Sequence, residues 1–236
     1  MRKLYFLLLS FLLVFFLASC FAPLKFVKPD VTKLKKVALV TIYAPKALNM
    51  SAAGSSIVEG IIETAARDVL ALKPELTQIK DAFYTDFDKL FPFKLIPEDD
   101  LFAMEEYQQI ESSSLITDIT MSIPDGYKGL LYTKGSAKYA FSKMPKIDGV
   151  LLAYGNYSVI KSNIPFKYYV QAEIQFSVYN RALAKLGTAR INAKSDDTMA
   201  VVIGFKPASA QQLMKQATKN LIKQIKHTVE MEKNAK

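Results

Sequence analysis

The clearest pattern along the chain is the alternation of apolar and polar residues between positions 150 and 193. From Tyr168 to Tyr179 every second residue is apolar, which predicts a long strand with one buried face. Residues 150–160 before it and residues 186–193 after it are also strand-like, and short turns join the three segments. Three consecutive strands with short connections predict an antiparallel meander.

Helices are predicted where apolar residues recur three and four positions apart. The longest covers residues 208–233, and its apolar face comprises Leu213, Met214, Ala217, Leu221, Ile225 and Val229. Four further helices are predicted over residues 56–72, 75–90, 98–111 and 130–143. Two short apolar runs, residues 36–43 and 93–96, predict additional strands, and the Ser/Thr-rich residues 112–124 predict a loop.

Together these elements predict an α+β fold, an α/β sandwich built on a mixed sheet of about five strands. The meander forms its C-terminal part, the helices pack mainly on one face, and the long helix ends the chain. No disulfide can form within the chain, because Cys20 is the only cysteine. The hydrophobic core must therefore hold the fold.

The N-terminus has the pattern of an export signal. Arg2 and Lys3 precede an apolar run of about fourteen residues, from Leu4 to Leu17, whereas a membrane-spanning helix needs ~20. A basic start, a short apolar segment and small residues before a cut are typical of a secretory signal peptide. We therefore predict a signal peptide over residues 1–19, cleaved between Ser19 and Cys20.

The segment Leu17-Ala18-Ser19-Cys20 resembles the lipobox of bacterial lipoproteins at all four positions. The resemblance implies a diacylglycerol thioether on Cys20, cleavage before it, and often acylation of the new amine, with palmitate among the fatty chains. Lipidation would also consume a thiol that invites intermolecular pairing in an exported protein. In Gram-negative bacteria Asp after the cysteine often signals inner-membrane retention, so Phe21 favours the periplasmic face of the outer membrane.

Three regions follow from this pattern: the signal peptide of residues 1–19, a lipid-anchored tether of residues 20–35, and a single envelope domain of residues 36–236. Pro23 and Pro29 disfavour regular structure in the tether. Removing residues 1–19 leaves 217 residues, enough for one large domain or two small ones.

Charge bears on the expected partners. The chain has 31 basic residues; without Arg2 and Lys3, 29 remain against 22 acidic residues, a net charge of about +7. Export argues against nucleic acid as a partner. The expected partners are the lipid bilayer, through the acyl chains of Cys20, and an envelope protein or polymer. The lysines are scattered, so a solvated surface explains most of them.

A search for catalytic chemistry finds little. His227 is the only histidine and lies near the end of the last helix, where it suits the helix dipole. With one histidine and the only thiol lipidated, a zinc site of the usual ligands cannot be built. We therefore expect no enzyme, no cofactor and no metal.

Three acidic runs remain as candidates for a carboxylate-dependent hydrolase: Glu98-Asp99-Asp100, Glu105-Glu106 and Asp196-Asp197. Adjacent residues on a helix do not face one another, so helix starts and turns explain these runs better. Tyr169 and Tyr179 lie on the side of the long strand opposite its apolar row, and they form a candidate contact surface if that side is open. The alternative is that the helices lie on one side and shield part of it.

The order of elements is similar to that of a group of periplasmic α/β lipoprotein domains. The group comprises the curli-secretion lipoproteins, the penicillin-binding-protein activators and the N-terminal domain of the Tol-system β-propeller protein. Ile147-Asp148-Gly149-Val150 stands where the group has an Ala-Asp-hydrophobic strand, and Asn180 to Gly187 resembles its Asp-x-x-x-Gly hairpin. Asn for Asp and an extra residue or two are departures. The resemblance implies the fold more than the function.

Three functions are compatible with this sequence. The leading hypothesis is a membrane-anchored envelope lipoprotein that acts as a non-enzymatic accessory, binding or assembly factor. The first alternative is a subunit of an oligomeric outer-membrane secretion pore, since residues 168–178 match the ~9–11 residues of a spanning strand. The second is a carboxylate-dependent cell-wall hydrolase.

Overall fold

The computed structural model describes residues 24–27, 29–46, 48–49, 72–116, 120–200 and 206–234. The predicted signal peptide, its cleavage site and the lipidation site at Cys20 lie outside these residues. So does the helix predicted over residues 56–72, apart from its last residue.

The fold is built on one mixed sheet of seven strands among the described residues. They are β1 (Lys25–Phe26), β2 (Val37–Pro45), β3 (Met121–Ser122), β4 (Gly149–Lys161), β5 (Lys167–Asn180), β6 (Lys185–Lys194) and β7 (Met199–Ala200). Their order is β1-β6-β5-β4-β2-β3, and β7 also pairs with β5. Strands β2 and β4 are parallel, and the other pairs are antiparallel. The predicted α+β class and C-terminal meander are confirmed, with seven strands rather than about five.

Five α-helices and one 3-10 turn, Asp30–Lys33, accompany the sheet in the described part of the chain. The helices are α1 (Leu72–Thr85), α2 (Glu98–Ala103), α3 (Glu105–Gln108), α4 (Lys134–Lys143) and α5 (Pro207–Asn234). The last one confirms the predicted long C-terminal helix.

The two faces of the sheet are covered to different extents. The row of β5 that includes Val170, Ile174 and Phe176 faces the main core, together with buried residues of α1 and α5. We call this side the inner face. The opposite side, the outer face, carries a smaller cluster with α2, α3 and α4 at the end of the sheet near Tyr179. The two long helices thus share one face as predicted, and three short helices add a partial layer on the other.

The prediction of a tether over residues 20–35 is wrong for the residues that the structure describes, 24–27 and 29–35, because they pack as part of the domain. Lys25 pairs with Thr188 of β6, and Phe26 pairs with Gly187. Leu24 and Val31 are buried in the main core, at 2% and 0% exposure. Pro29 disfavours a long strand here, but apolar side chains at spaced positions still pack against the sheet. The stable domain therefore begins by residue 24, not at residue 36.

Candidate binding surface

The outer face is polar over the half that α2, α3 and α4 do not cover. Here β4, β5 and β6 lie side by side, so their side chains form rows across three strands. The rows are Tyr154–Gln175–Arg190, Asn156–Glu173–Asn192 and Ser158–Gln171–Lys194. We call these nine residues, together with Tyr169, which lies two residues before Gln171 on the same side of β5, the polar face. Most of its side chains are half-buried or exposed.

Glu173 stands at the centre of the polar face and organises its neighbours. Its side chain is only 9% exposed, and Oε1 lies 3.0 Å from Nε of Arg190. The same oxygen accepts a hydrogen bond of 2.8 Å from Nε2 of Gln175. A buried carboxylate is costly unless it is paired and hydrogen-bonded, and both conditions are met here. The guanidinium of Arg190 is consequently held in place, although its side chain is 66% exposed.

Tyr154 marks the border between the polar face and the covered half. Its ring lies edge-on to that of Tyr43, with 5.2 Å between centroids. Burial, with the nearby charge of Glu173, raises the pKa of the Tyr154 hydroxyl. Burial also raises the pKa of Tyr43, whose hydroxyl accepts a hydrogen bond of 3.0 Å from the backbone N–H of Tyr132. Both phenols therefore stay protonated at neutral pH and act as neutral hydrogen-bonding groups.

The two tyrosines of the candidate contact surface occupy different environments. Tyr169 is half-buried on the polar face, and the ammonium of Lys194 lies 5.8 Å from its ring centroid. Tyr179 is only 6% exposed, because it packs in the outer-face cluster with Phe141 and Met144. The condition for the contact surface, an open outer face, is therefore not met at Tyr179, which is covered by the segment around α4.

The acidic runs serve as structural contacts in the described part of the chain. Glu98 accepts a hydrogen bond of 2.9 Å from Lys80 of α1, and Glu106 lies 3.4 Å from Lys146. Asp196 accepts from Asn220 at 2.8 Å, and Asp197 accepts from Gln216 at 2.7 Å. Among the described residues, no three His, Cys, Asp or Glu side chains form a group able to hold a metal ion. His227 is exposed on α5, near its end as expected.

A second polar cluster lies between α1 and α2. Lys80 is 8% exposed and also contacts Asp81, with 2.5 Å between Nζ and Oδ1. Burial acts to lower the pKa of Lys80, but Asp81 and Glu98 outweigh it and raise that pKa. Nearby, the hydroxyls of Tyr84 and Tyr127 are 2.9 Å apart. Lys80 and Glu98 thus join α1 to α2, and the two tyrosines join α1 to the segment that follows β3, which are structural roles.

The long strands do not present an apolar row to the exterior. The apolar row of β5 belongs to the main core, which includes Leu213, Leu221 and Ile225 of α5. The opposite row is polar or covered by the outer-face cluster. Neither the pore alternative nor the hydrolase alternative gains support from the described residues. None of the helices in this part of the chain is both long and apolar enough to traverse a bilayer.

Sequence reasoning missed the ion pair between Glu173 and Arg190. The alternation placed both residues on strands, but their contact depends on the register between β5 and β6, where Gln175 faces Arg190. The only available signal was opposite charges on predicted neighbouring strands.

No protein-family model matches the sequence, and neither does any curated protein. The distantly similar solved structures include two of bacterial proteins. One is a hypothetical protein of Chlamydia trachomatis, with 9% identity, a TM-score of 0.38, and coverage of 86% of this chain and 99% of that one. The other is described as "a putative lipoprotein" of Caulobacter crescentus, with 11% identity, a TM-score of 0.25, and coverage of 34% and 65%. At these TM-scores neither similarity supports an argument about function, and the particular lipoprotein group suggested by the sequence is not confirmed.

Proposed function

We propose that this protein is a lipid-anchored lipoprotein of the cell envelope whose domain binds an envelope partner without catalysing a reaction. The anchor would be the acylated Cys20. The partner surface would be the polar face centred on Glu173 and Arg190.

The observation that carries the proposal is the short distance between the lipidation signal and the folded domain. Leu24 is buried in the core and β1 begins at Lys25, four and five residues after Cys20. Four residues span at most ~14 Å when fully extended. An acyl chain on Cys20 would consequently hold the domain close to the bilayer, because no long linker separates the two. In a Gram-negative host, Phe21 after the cysteine favours the periplasmic face of the outer membrane.

The chemistry of the polar face suggests the class of partner. Amide side chains offer both donors and acceptors, and Tyr154 and Tyr169 add flat rings that pack well against a partner. Arg190 is paired with Glu173, so the exposed ammonium of Lys194 gives the polar face its excess positive charge. Such a surface suits a neutral or acidic partner in the envelope, either a protein segment or a polymer rich in hydroxyl and amide groups.

Membrane attachment is tested by the substitution Cys20→Ser in the native host. We expect the protein to move from the membrane fraction to the soluble fraction, with an unchanged thermal unfolding midpoint. Mass spectrometry of the wild-type protein should find acyl chains on the N-terminal cysteine. A membrane-bound Cys20→Ser protein, or a wild-type protein with a bare thiol, would contradict the anchor.

Partner binding is tested by cross-linking in intact envelopes followed by purification. Arg190→Ala should reduce the recovery of specific cross-linked species, whereas Lys219→Ala, which removes the same charge from an exposed position of α5, should not. Equal recovery with both variants would argue against the polar face. The purified protein should show no hydrolase activity, and turnover abolished by a single Asp or Glu substitution would overturn the non-enzymatic assignment.

A further inference from the structure

The turn between β4 and β5 exposes large apolar side chains at the end of the longest hairpin. Ile164 is 51% exposed and Phe166 is 64% exposed, with Pro165 between them. We call residues 164–166 the hairpin tip. The two strands that carry it have 13 and 14 residues, so the tip is held on a well-paired ribbon.

The backbone at the tip has a conformation that disfavours the residue present. Phe166 has φ of 59°, and the N–H of Lys167 donates a hydrogen bond of 3.2 Å to the carbonyl of Ile164. With Pro165 in the second position, this geometry fits a type II turn, whose third position favours Gly or Asn. For other L-residues the left-handed region costs about 1–2 kcal/mol. A phenylalanine at this position is therefore not explained by the turn itself.

The backbone strain at Phe166 is not offset by burial of its side chain, as a comparison with Leu183 shows. Leu183, in the turn after β5, is the other described non-glycine residue with positive φ, at 58°. Its side chain packs against the outer-face cluster, so apolar burial offsets the backbone cost. Phe166 has no comparable burial, since its side chain is mostly in solvent. Strain retained at an exposed position indicates a role outside the fold.

Within the hairpin, the charged residues beside the tip are positive. Lys161 and Lys167 flank it and are both exposed. No Asp or Glu occurs between residues 149 and 172. Asp196 and Asp197 also lie at this end of the sheet, between Ser195, which bonds to Val170, and β7; their hydrogen bonds from Asn220 and Gln216 direct them toward α5. Apolar side chains flanked by two lysines are typical of segments that bind the interface of an anionic bilayer, where the apolar side chains enter the acyl boundary and the ammonium groups contact the head groups.

We propose that the hairpin tip inserts into the interface of an anionic lipid bilayer and forms a second point of membrane attachment. The direction of the N-terminal segment agrees with this. Strands β1 and β5 are both antiparallel to β6, so they run in the same direction, away from the tip. Leu24, which precedes β1, therefore lies toward the end of the sheet that carries the tip. The inference builds on the proposed membrane location, but it does not require acylation of Cys20.

The spacing of the two attachment points sets the orientation of the domain. Lys25 is level with Thr188 and hence with Ser177, ten residues from Lys167 along β5, or ~34 Å. The five residues back from Lys25 to Cys20 reach at most ~17 Å. Both points can therefore touch one surface when the strands lie obliquely to the bilayer.

The chain contains no tryptophan, so a single tryptophan introduced at the tip would report the environment of the tip by its fluorescence. In a chain that begins at residue 20 and carries Cys20→Ser, Phe166→Trp introduces a single tryptophan at the tip. Its emission should shift to the blue and be quenched by brominated lipid when phosphatidylglycerol-containing vesicles are added. Pure phosphatidylcholine vesicles or high salt should weaken the effect, because the head-group charge is absent or screened.

The matched control is Met231→Trp on α5. Met231 is 61% exposed, and α5 ends near Lys89, whose carbonyl is 3.5 Å from Nζ of Lys233. Its tryptophan should show no blue shift. No shift for Phe166→Trp, or equal shifts for both variants, would overturn insertion through the tip, and equal binding to both lipids would overturn the preference for anionic surfaces. Because Cys20 is absent, these results are independent of whether the native protein is acylated.

A second substitution separates lipid binding from folding. Phe166→Gly should lower vesicle partitioning about ten- to hundredfold, as expected for one buried aromatic side chain. The same change should raise the thermal unfolding midpoint by about 2–8 °C, because it relieves the backbone strain. A variant that is more stable and still binds vesicles as the parent does would refute the proposal.

Discussion

Gly187 has no side chain, and this leaves room for the N-terminal segment to pack against β6. A Cβ at this position would lie 2.6 Å from Cδ1 of Phe26, the residue paired with it on β1. Gly187→Ala should therefore push the Phe26 ring away and destabilise the protein by about 1–3 kcal/mol, a typical cost of overpacking. Urea unfolding of the purified protein measures this loss as a lower midpoint.

Gly135 provides the matched control. It lies in the first turn of α4, and a Cβ there would meet only Oγ1 of Thr133, at 3.6 Å. Gly135→Ala should be neutral or stabilise the protein by up to about 1 kcal/mol, since alanine loses less backbone entropy in a helix. If both substitutions had the same effect, the contact with Phe26 would not be the reason for glycine at position 187.

The sequence indicated some of these residues but not their reasons. Gly187 was expected as part of a hairpin motif, whereas the structure shows that Phe26 requires it. The positive φ of Phe166 has no signal in apolar periodicity, because the usual marker of such a turn is glycine or asparagine. A steric contact between residues that are distant in the sequence cannot be predicted until the fold places them side by side.

At the level of elements, Glu75 lies in the interface between α1 and α5. Its side chain is fully buried, and Nε2 of Gln211 donates to it at 3.0 Å. Burial raises the pKa of the Glu75 carboxyl, against opposing effects of Gln211 and the charge of Lys215. The folded protein thus binds this proton more tightly than the unfolded chain, and stability falls as the pH rises through the raised pKa.

Glu75→Gln should therefore be more stable than the wild type at neutral pH, because the buried charge is removed and an acceptor for Gln211 remains. The difference should shrink as the pH falls toward the unfolded pKa of about 4.3. Urea unfolding across this range checks the trend. A Glu75→Gln variant that is less stable than the wild type at neutral pH would contradict it.

Glu106 supplies a control of opposite sign. A hydrogen bond from its own backbone N–H, followed by the ammonium of Lys146, lowers the pKa of Glu106. Its contribution to stability is present above the unfolded pKa and is lost as the pH falls through the lowered one. Glu106→Gln should therefore be slightly less stable than the wild type at neutral pH and equal to it in acid.

Elements with a long, regular pattern were predictable, and those shaped by local contacts were less so. The alternation within β5 and the apolar face of α5 indicated both elements to within one or two residues. The helix expected over residues 98–111 is instead broken at Met104, whose backbone is extended. The helix expected from residue 130 begins at Lys134, because the side chain of Thr133 caps it by accepting from the N–H of Ser136. The strand expected at residues 93–96 is reduced to one bridge, between Leu95 and Val37.

For the whole molecule, the arrangement of the sheet followed only in part from the sequence. Short turns between β4, β5 and β6 specify antiparallel neighbours. The parallel pairing of Val37 with Gly149 joins segments more than a hundred residues apart, and no local pattern specifies it. The polar face depends on the register of β4, β5 and β6, since its rows across the three strands exist only once these strands are paired.

The position at which the stable domain begins is decided by packing rather than by the prolines of the predicted tether. Removal of residues 24–35 would take Leu24, Phe26, Val31 and Leu34 out of the core. Each buried apolar side chain contributes about 1.5–3 kcal/mol, so their combined loss approaches the 5–15 kcal/mol that typically stabilises a domain. The deletion would also uncover the stacked rings of Phe91 and Phe93, whose centroids are 4.8 Å apart.

A chain beginning at residue 24 should therefore unfold cooperatively in urea, whereas one beginning at residue 36 should be largely unfolded or aggregate. Phe26→Ala in the longer chain gives an intermediate case, with an expected loss of about 3–5 kcal/mol. It keeps the backbone pairing of β1 with β6 but removes the ring that packs edge-on to Phe93, with 5.9 Å between centroids. If the chain from residue 36 unfolded at the same urea concentration as the longer one, residues 24–35 would be a tether after all, and the domain would be free to stand away from the membrane.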